Sequence, residues 1–299
     1  MKPAPILQVD GLTRDFVMSR NLFGKPTHKL RAVDDVSFSI MPGETLGLVG
    51  ESGSGKSTTG RLVLRLDDPT EGQVRFEGQE ITGLRGPALR PVRKKLQVVF
   101  QDPYSSLNPR MRVGESVGEP LSNHGVVKSR AEQRDHVAEL FRKVGLDPRF
   151  MDRFPHQFSG GQRQRIGIAR AIALGPKLIV ADEPITALDV SIQAQIINLF
   201  LDLQDQMGMA YLFIAHDLGM VRYLCHRVAV MLRGRIVEMG PTDQVFADPR
   251  HPYTRALISA APIPDPDREA VRTRLSYEPT PPAPDAALRE VSIGHWVLA

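Results

Sequence analysis

Hydrophobic positions along this chain fall into two patterns. Ile6–Val9 and Val36–Ile40 carry the alternating or β-branched pattern of half-buried strands, and Met41-Pro42-Gly43 reads as the turn that follows. Thr45–Val49 is a short apolar strand leading straight into a glycine-rich loop. After the loop, Ser57–Leu66 places Leu62, Val63 and Leu66 at helical spacing and stops before Asp68-Pro69. Further strands are predicted at Leu96–Phe100, Leu178–Ala181, Tyr211–Ala215, Arg227–Leu232 and Ile236–Glu238, with a helix over Val190–Gln206. From about Asp102 to Arg165 strong strand patterns disappear. Ser129–Val144 there reads as an amphipathic helix with Val137, Leu140, Phe141 and Val144 on one face. The pattern predicts an α/β core with a helical insert. From about Pro241 the chain turns proline-rich and predicts an irregular appendage. No internal repeat is found.

Composition narrows the class without changing that picture. Hydrophobic residues make up 41% of 299 and charged residues 24%, the usage of an ordinary globular protein rather than a disordered or fibrous one. No run approaches the 18 apolar residues of a membrane span, and Tyr211–Ala215 and Lys177–Ala181 suit buried strands. The first residues lack an apolar stretch with a small-residue cleavage site, so a secretory signal is not expected and the expected location is the cytoplasm. One cysteine, Cys225, allows neither a disulfide framework nor a cysteine metal cluster within the chain. The net charge of +4 is dispersed. Its densest cluster, Arg90–Lys95, reads as a solvated face or a contact for an acidic partner.

Chemistry concentrates at three places. Gly50-Glu51-Ser52-Gly53-Ser54-Gly55-Lys56-Ser57 fits the G-x-x-x-x-G-K-[ST] phosphate loop and lies between a predicted strand and a predicted helix, the context the motif requires. Glycines let successive N–H groups converge on phosphates, and the helix start adds the positive end of its dipole. Lys56 would sit between β- and γ-phosphates, and the Ser57 hydroxyl would ligate Mg²⁺. Second, the apolar strand Leu178–Ala181 ends in Asp182-Glu183. Carboxylates closing a buried strand need compensation. Asp182 is the natural Mg²⁺ partner, and Glu183 the candidate base or water-orienting group, against the plainer reading of a solvated strand end. Third, Phe158-Ser159-Gly160-Gly161-Gln162 precedes a helical pattern over Arg163–Leu174 with Ile166, Ala169, Ile172 and Ala173 toward a core. Ser159 is a candidate N-cap, and this helix start is a second anion-binding end.

Together these motifs resemble the ATP-binding-cassette (ABC) ATPases, whose signature LSGGQ stands here as FSGGQ. The resemblance covers residues 6 to about 260. It implies a P-loop NTPase, RecA-like core over 1–101 and 166–245, a helical subdomain with the signature over 102–165, and a C-terminal extension over 246–299. It implies ATP and Mg²⁺ as ligands, held at Phe16, Gly50, Glu51, Ser52, Gly53, Ser54, Gly55, Lys56, Ser57, Thr58 and Gln101, with Ser57, Gln101 and Asp182 toward the metal. Glu183, His216 and Lys56 become the catalytic set, with His216 a switch contacting the γ-phosphate. Phe16 becomes the aromatic stacked on adenine, although a Phe after a strand also suits a core, and a lone strand-end His is commonly structural. Ala187-Leu188-Asp189 resembles the loop crossing a dimer interface, in which Ser159, Gly160, Gly161 and Gln162 of one subunit close over the ATP of the other.

Longer stretches resemble the ATPase subunits of bacterial oligopeptide and dipeptide importers, a group that includes nickel and glutathione systems. These are Gln101–Pro109 (QDPYSSLNP), Phe154–Arg165 (FPHQFSGGQRQR), Ala187–Gln193 (ALDVSIQ) and Pro249–Thr254 (PRHPYT). The resemblance implies a second, paralogous ATPase subunit, two transmembrane permeases, an indirect link to a solute-binding protein, peripheral attachment to the cytoplasmic face of the inner membrane, and no direct nucleic-acid contact. Many relatives carry a cysteine-rich C-terminal segment; Glu278–Arg289 here has no cysteine, so no iron–sulfur cluster is expected. Gly294-His295-Trp296 still resembles the closing segment of the family. A cassette acting on nucleic acid or ribosomes is the main rival. It would ordinarily carry a long coiled coil or two cassettes, and neither pattern occurs here. A small P-loop kinase would leave the FSGGQ helix unexplained, and an exporter would not call for the HPYT segment.

Overall fold

The computed structural model describes residues 4–20, 26–102, 106–186, 188–216, 218–261, 274–278 and 286–299. Parts of several expectations therefore lie outside the described residues: 1–3 of the leader reading, 103–105 of the QDPYSSLNP stretch, Ala187 of the interface loop, and 262–273 and 279–285 of the proline-rich tract. In chain order the strands are β1 (Leu7–Arg20), β2 (Pro26–Ile40), β3 (Thr45–Val49), β4 (Glu71–Phe76), β5 (Gln79–Glu80), β6 (Leu96–Val99), β7 (Leu178–Asp182), β8 (Ala210–Ala215), β9 (Arg227–Leu232), β10 (Arg235–Pro241), β11 (Leu288–Ser292) and β12 (His295–Leu298). The described α-helices are α1 (Lys56–Val63), α2 (Arg90–Lys95), α3 (Val113–Asn123), α4 (Arg130–Lys143), α5 (Gly160–Ile172), α6 (Val190–Met207), α7 (Leu218–Leu224), α8 (Thr242–Ala247) and α9 (Pro252–Ala260). The chain packs as two compact units, one of residues 1–6, 41–43 and 83–211, the other of 7–40, 44–82 and 212–299.

The second unit is built on two sheets. One is antiparallel, in the order β2-β1-β4-β5. β1 and β2 form a long hairpin from Leu7↔Ile40 to Arg20↔Pro26, far longer than the alternating pattern predicts. The reason is local: Gly11 and Asp35 adopt left-handed backbone (φ 58° and 53°) at register shifts. The Gly11 N–H donates to Ser37 Oγ, and the Asp35 N–H to Thr13 Oγ1. A bulge breaks the two-residue period that marks a strand in sequence while the ladder continues. The other sheet of this unit runs β11-β12-β10-β9-β3-β8. β3 pairs in parallel with β9 from Leu46↔Arg227 to Val49↔Val230, and β9, β10 and β12 are antiparallel neighbours. All five residues of β3 are buried, which suits a strand covered on both faces.

Two expectations change here. The helix after the glycine loop ends at Val63 rather than Leu66, because Arg65 turns left-handed (φ 55°) and Leu66 lies 46% exposed. The region after residue 245 is also more regular than its prolines predict. α9 and the β11–β12 hairpin belong to it, and β12 pairs with β10 through Glu238↔Val297 and Met239↔Trp296.

The first unit pairs β6 with β7 in parallel from Leu96↔Leu178 to Val99↔Ala181. α4 spans the predicted amphipathic helix: Ser129 Oγ caps it by accepting the Glu132 N–H at 3.1 Å, and Val137, Leu140 and Phe141 are buried. α6 buries Ile196, Ile197, Leu199, Phe200 and Leu203, and stops at Gly208 in left-handed conformation. The basic cluster Arg90–Lys95 forms α2, with Val92 buried and Arg90, Arg93, Lys94 and Lys95 exposed. No helix among the described residues is long and apolar enough to cross a membrane.

Candidate functional site

The glycine loop leaves the buried end of β3 and curls back on itself. Gly50, Gly53 and Gly55 all have positive φ (151°, 78° and 106°). At Gly53 only that conformation demands glycine. At Gly50 and Gly55 a Cβ would also run into the carbonyl oxygens of Met231 and Ala32, so these glycines answer to packing and to backbone alike. The loop is held from below by the β9–β10 turn, where the Gly234 N–H donates to the Ser54 carbonyl at 2.9 Å. Lys56 is 4% exposed, and its ammonium bridges the loop by donating to Gly50 O and Glu51 O at 2.8 Å each and to Ser54 Oγ at 3.4 Å. Gly55 stands at the N-cap of α1 in left-handed conformation, and no side chain caps that helix. Ser52, Gly53 and Ser57 are exposed and Thr58 is half-buried. This is the chemistry of an anion cradle: converging N–H groups, one buried ammonium and an exposed hydroxyl at the helix start.

The acidic station belongs to the first unit. β7 is buried through Ala181, and Asp182 and Glu183 are half-buried where it ends. Glu183 takes left-handed backbone (φ 46°), a strained conformation for a non-glycine residue and one that collects at functional sites. The structure brings Gln101 to it: Gln101 Nε2 donates to Glu183 Oε2 at 2.9 Å, across the β6–β7 pair. Thr186 Oγ1 donates to the same oxygen at 3.3 Å. Gln193, from the first turn of α6, donates to the carbonyls of Ile185 (3.2 Å) and Leu188 (3.0 Å), bracing the loop that follows. Asp189 is exposed at the N-cap of α6 and makes no capping hydrogen bond.

The FSGGQ segment starts α5 in a different way. Ser159 caps the helix by accepting the Gln162 N–H at 3.3 Å, and Gln162 Oε1 accepts the Ser159 N–H at 3.1 Å, a reciprocal capping box. Phe158 is buried and Ser159 exposed, so the apolar residue anchors the turn and the hydroxyl faces solvent. Gly161 is buried, and a Cβ there would come within 2.5 Å of Ile192 Cγ2. Arg163 is buried and donates to the Pro155 carbonyl at 2.8 Å; burial lowers the pKa of its guanidinium.

Phe16 and His216 are placed in the second unit. Phe16 is half-buried on β1 opposite Leu30, outside the apolar core, with the Arg14 guanidinium 4.8 Å over its ring. His216 directly follows β8 and is exposed. Among the described residues no group of three or more His, Cys, Asp or Glu could hold a metal by itself. Sequence reasoning passed over Thr186, Gln193 and above all Tyr253. The Tyr253 hydroxyl accepts the N–H of Glu51, inside the glycine loop, at 3.0 Å. Burial pushes the Tyr253 phenol up to about 12. The HPYT pattern marked that segment, but not what it touches.

The comparisons with known proteins agree on the family. The ABC transporter family matches residues 33–186, and the oligopeptide/dipeptide transporter C-terminal region matches residues 237–286. The glutathione import ATP-binding protein GsiA of Salmonella paratyphi A is 52% identical over 301 residues, covering 98% of this chain and 48% of GsiA. The chain thus spans about half the length of that relative. The oligopeptide transport ATP-binding protein OppF of Bacillus subtilis is 49% identical, covering 98% of this chain and 95% of OppF. Among solved structures, the ATP-binding cassette MJ0796, a dimer in a post-hydrolysis state bound to ADP and Pi, is 30% identical with a TM-score of 0.71, covering 79% of this chain and 98% of its own. CbiO1 of Clostridium perfringens, part of the ABC transporter complex cbiONQ, is 27% identical with a TM-score of 0.70, covering 82% and 91%. The chain belongs to the ABC transporter family, as an ATP-binding cassette that carries the C-terminal region of the oligopeptide/dipeptide transporters.

Proposed function

We propose that this chain is the ATP-hydrolysing subunit that energises an importer of oligopeptides, dipeptides or a related small solute such as glutathione. The observation that carries the reading is the loop before α1: three left-handed glycines, two with no room for a side chain, lead into an uncapped helix start with Lys56 buried at its centre. The descriptions of OppF and GsiA support the importer role. Neither describes a protein acting on nucleic acid or ribosomes, so the rival reading gains nothing from them.

In this reading Phe16 stacks on the adenine, and the loop from Gly50 to Thr58 receives the phosphates while its Glu51 N–H stays with the Tyr253 hydroxyl. Lys56 exchanges its loop carbonyls for phosphate oxygens. Ser57, Gln101 and Asp182 offer hydroxyl, amide and carboxylate oxygens, the hard donors that Mg²⁺ takes, with Asp182 half-buried at the end of β7. When bound, Mg²⁺ neutralises charge on the β- and γ-phosphates. Glu183 orients the attacking water, and the Gln101 and Thr186 donors fix the carboxylate oxygen that they share. His216 contacts the γ-phosphate. Ser159, Gly160, Gly161 and Gln162 act on the ATP of a second, paralogous subunit, with Asp189 at the shared interface. Two permeases, reached through the helical subdomain, anchor the pair peripherally at the cytoplasmic face of the inner membrane, and a solute-binding protein delivers cargo to them. Closure of the pair on ATP drives the permeases, and hydrolysis reopens it.

Glu183→Gln tests the assignment. It keeps the shape and the Gln101 contact but removes the base, so steady-state hydrolysis is expected to fall by about 100-fold or more with ATP affinity retained. Hydrolysis at the normal rate would remove Glu183 from the mechanism. Co-purification of two permeases and a second ATPase from native membranes tests the importer reading. Ribosomal proteins in their place would overturn it.

A further inference from the structure

Tyr253 lies 202 positions from Glu51 in the chain, yet its hydroxyl accepts the Glu51 N–H at 3.0 Å. The ring is 2% exposed and packs against Tyr277, with centroids 5.6 Å apart. Its place is set by a chain of specific contacts. Glu238 of β10 is fully buried and accepts three hydrogen bonds: from the Arg250 N–H (2.8 Å), from the His251 N–H (2.9 Å) and from His295 Nε2 (2.7 Å). The first two fix the turn before α9. His251 then caps α9, its Nδ1 accepting the Tyr253 N–H at 3.1 Å, and Pro252 occupies the first helical position, where a missing N–H costs nothing. His251 can accept only when its Nδ1 is unprotonated, and burial, opposed by the charge of Glu238, lowers its pKa toward that state. Every residue of the His-Pro-Tyr run thus serves to aim one hydroxyl at the glycine loop.

From this we propose that Tyr253 is a positioning residue for the phosphate loop: it holds the Glu51 amide so that the Gly50–Lys56 curl is formed before nucleotide arrives, and the segment 249–254 thereby sets ATP affinity. The inference rests on the reading of that loop as the ATP site. A loop with three positive-φ glycines loses much conformational freedom when it closes on phosphates. A fixed contact at its first limb removes part of that loss beforehand, which strengthens binding without touching the ligand. The match to the general cassette family ends at residue 186, whereas Tyr253 lies within the match to the oligopeptide/dipeptide C-terminal region. The contact is therefore a contribution of that region to the nucleotide site, made by a residue that touches no reacting atom.

Tyr253→Phe keeps the ring and removes the acceptor. In the full chain, equilibrium ATP binding is expected to weaken about three- to tenfold, the effect of one lost hydrogen bond, with KM for ATP rising in step and kcat at saturating ATP unchanged within about twofold. A general packing defect would instead lower kcat at saturating ATP. Unchanged affinity, or a fall in kcat alone, overturns the proposal. Hydrogen exchange on the wild-type chain decides the matter even if the variant fails to fold: the Glu51 amide is expected to be protected without nucleotide, and fast exchange there overturns the proposal. Lys56→Ala separates the two levels. Wild-type binding abolished by Lys56→Ala but unaffected by Tyr253→Phe would sink this inference and leave the ATP site standing. A wild-type chain that binds no ATP would sink both.

Discussion

Two of the described helices begin at glycine-rich turns, and they begin in opposite ways. α1 follows Gly55 in left-handed conformation with no side chain to cap it, and its loop is held by Lys56 and by the hydroxyl of Tyr253. α5 follows Ser159 in extended conformation, and a reciprocal capping box with Gln162 satisfies both residues locally. Both ends carry the same dipole. The difference lies in who satisfies the donors. An uncapped start supported from outside puts no side chain of its own where a ligand entering the loop would lie. A capped start is stable by itself and presents a hydroxyl and a short glycine surface to whatever approaches it. That contrast suits the division of labour proposed above for the two halves of an ATP site, the first start enclosing phosphate and the second closing over it.

The sharpest way to break that contrast is to add one methyl group to the uncapped start. Gly55→Ala places a Cβ at φ 106° against the Ala32 carbonyl oxygen. The strain and clash are expected to cost about 2–4 kcal/mol and to reduce ATP binding by more than about 100-fold. Thermal melting and an ATP titration measure the two effects. A variant that binds ATP normally would mean that the curl does not hold the nucleotide. A smaller effect is expected at the capped start. Ser159→Ala removes the capping oxygen, for about 1 kcal/mol of stability, and leaves the chain's own ATP affinity unchanged. In a mixed dimer, site-selective nucleotide labelling should place the loss of turnover, about tenfold or more, at the partner's site. Loss at its own site would reverse the assignment.

How much of this was legible in the sequence depends on how local each feature is. The phosphate loop, the Asp182-Glu183 strand end and the FSGGQ cap are each contained within a few residues, and the sequence pattern placed them on the elements where they stand. The β1–β2 hairpin was visible only at Ile6–Val9 and Val36–Ile40, because the bulge at Gly11 and Asp35 destroys the alternation that marks a strand. Leu66 kept the helical spacing but not the helix, since Arg65 turns away first. The Tyr253–Glu51 hydrogen bond joins segments 202 positions apart, and no periodicity reports such a contact. The His-Pro-Tyr pattern did contain a readable clue, a capping side chain followed by Pro at the first helical position. Without the tertiary fold it could not say where the tyrosine points. The same holds for Gln101 and Glu183, whose contact follows from the parallel pairing of β6 with β7.

The smallest effect is expected from repeating the alanine experiment at the second helix. Gly160 starts α5, its φ lies outside the left-handed range, and its closest neighbour to an added Cβ is Leu188 Cδ2 at 3.2 Å, the far end of a flexible side chain. Alanine is the better helix former, which offsets the mild crowding. Gly160→Ala should therefore change stability by less than about 1 kcal/mol and leave the chain's own ATP binding intact. In the proposed arrangement, where Gly160 approaches a phosphate on the opposing subunit, turnover in the assembled pair should drop by less than about tenfold. The same substitution would then abolish binding at one glycine and pass almost unnoticed at the other. If Gly160→Ala instead costs the chain about the same 2–4 kcal/mol expected of Gly55→Ala, both turns depend on glycine for stability, and the distinction between an enclosing start and a closing one fails. Melting curves of the two variants, measured side by side, decide it.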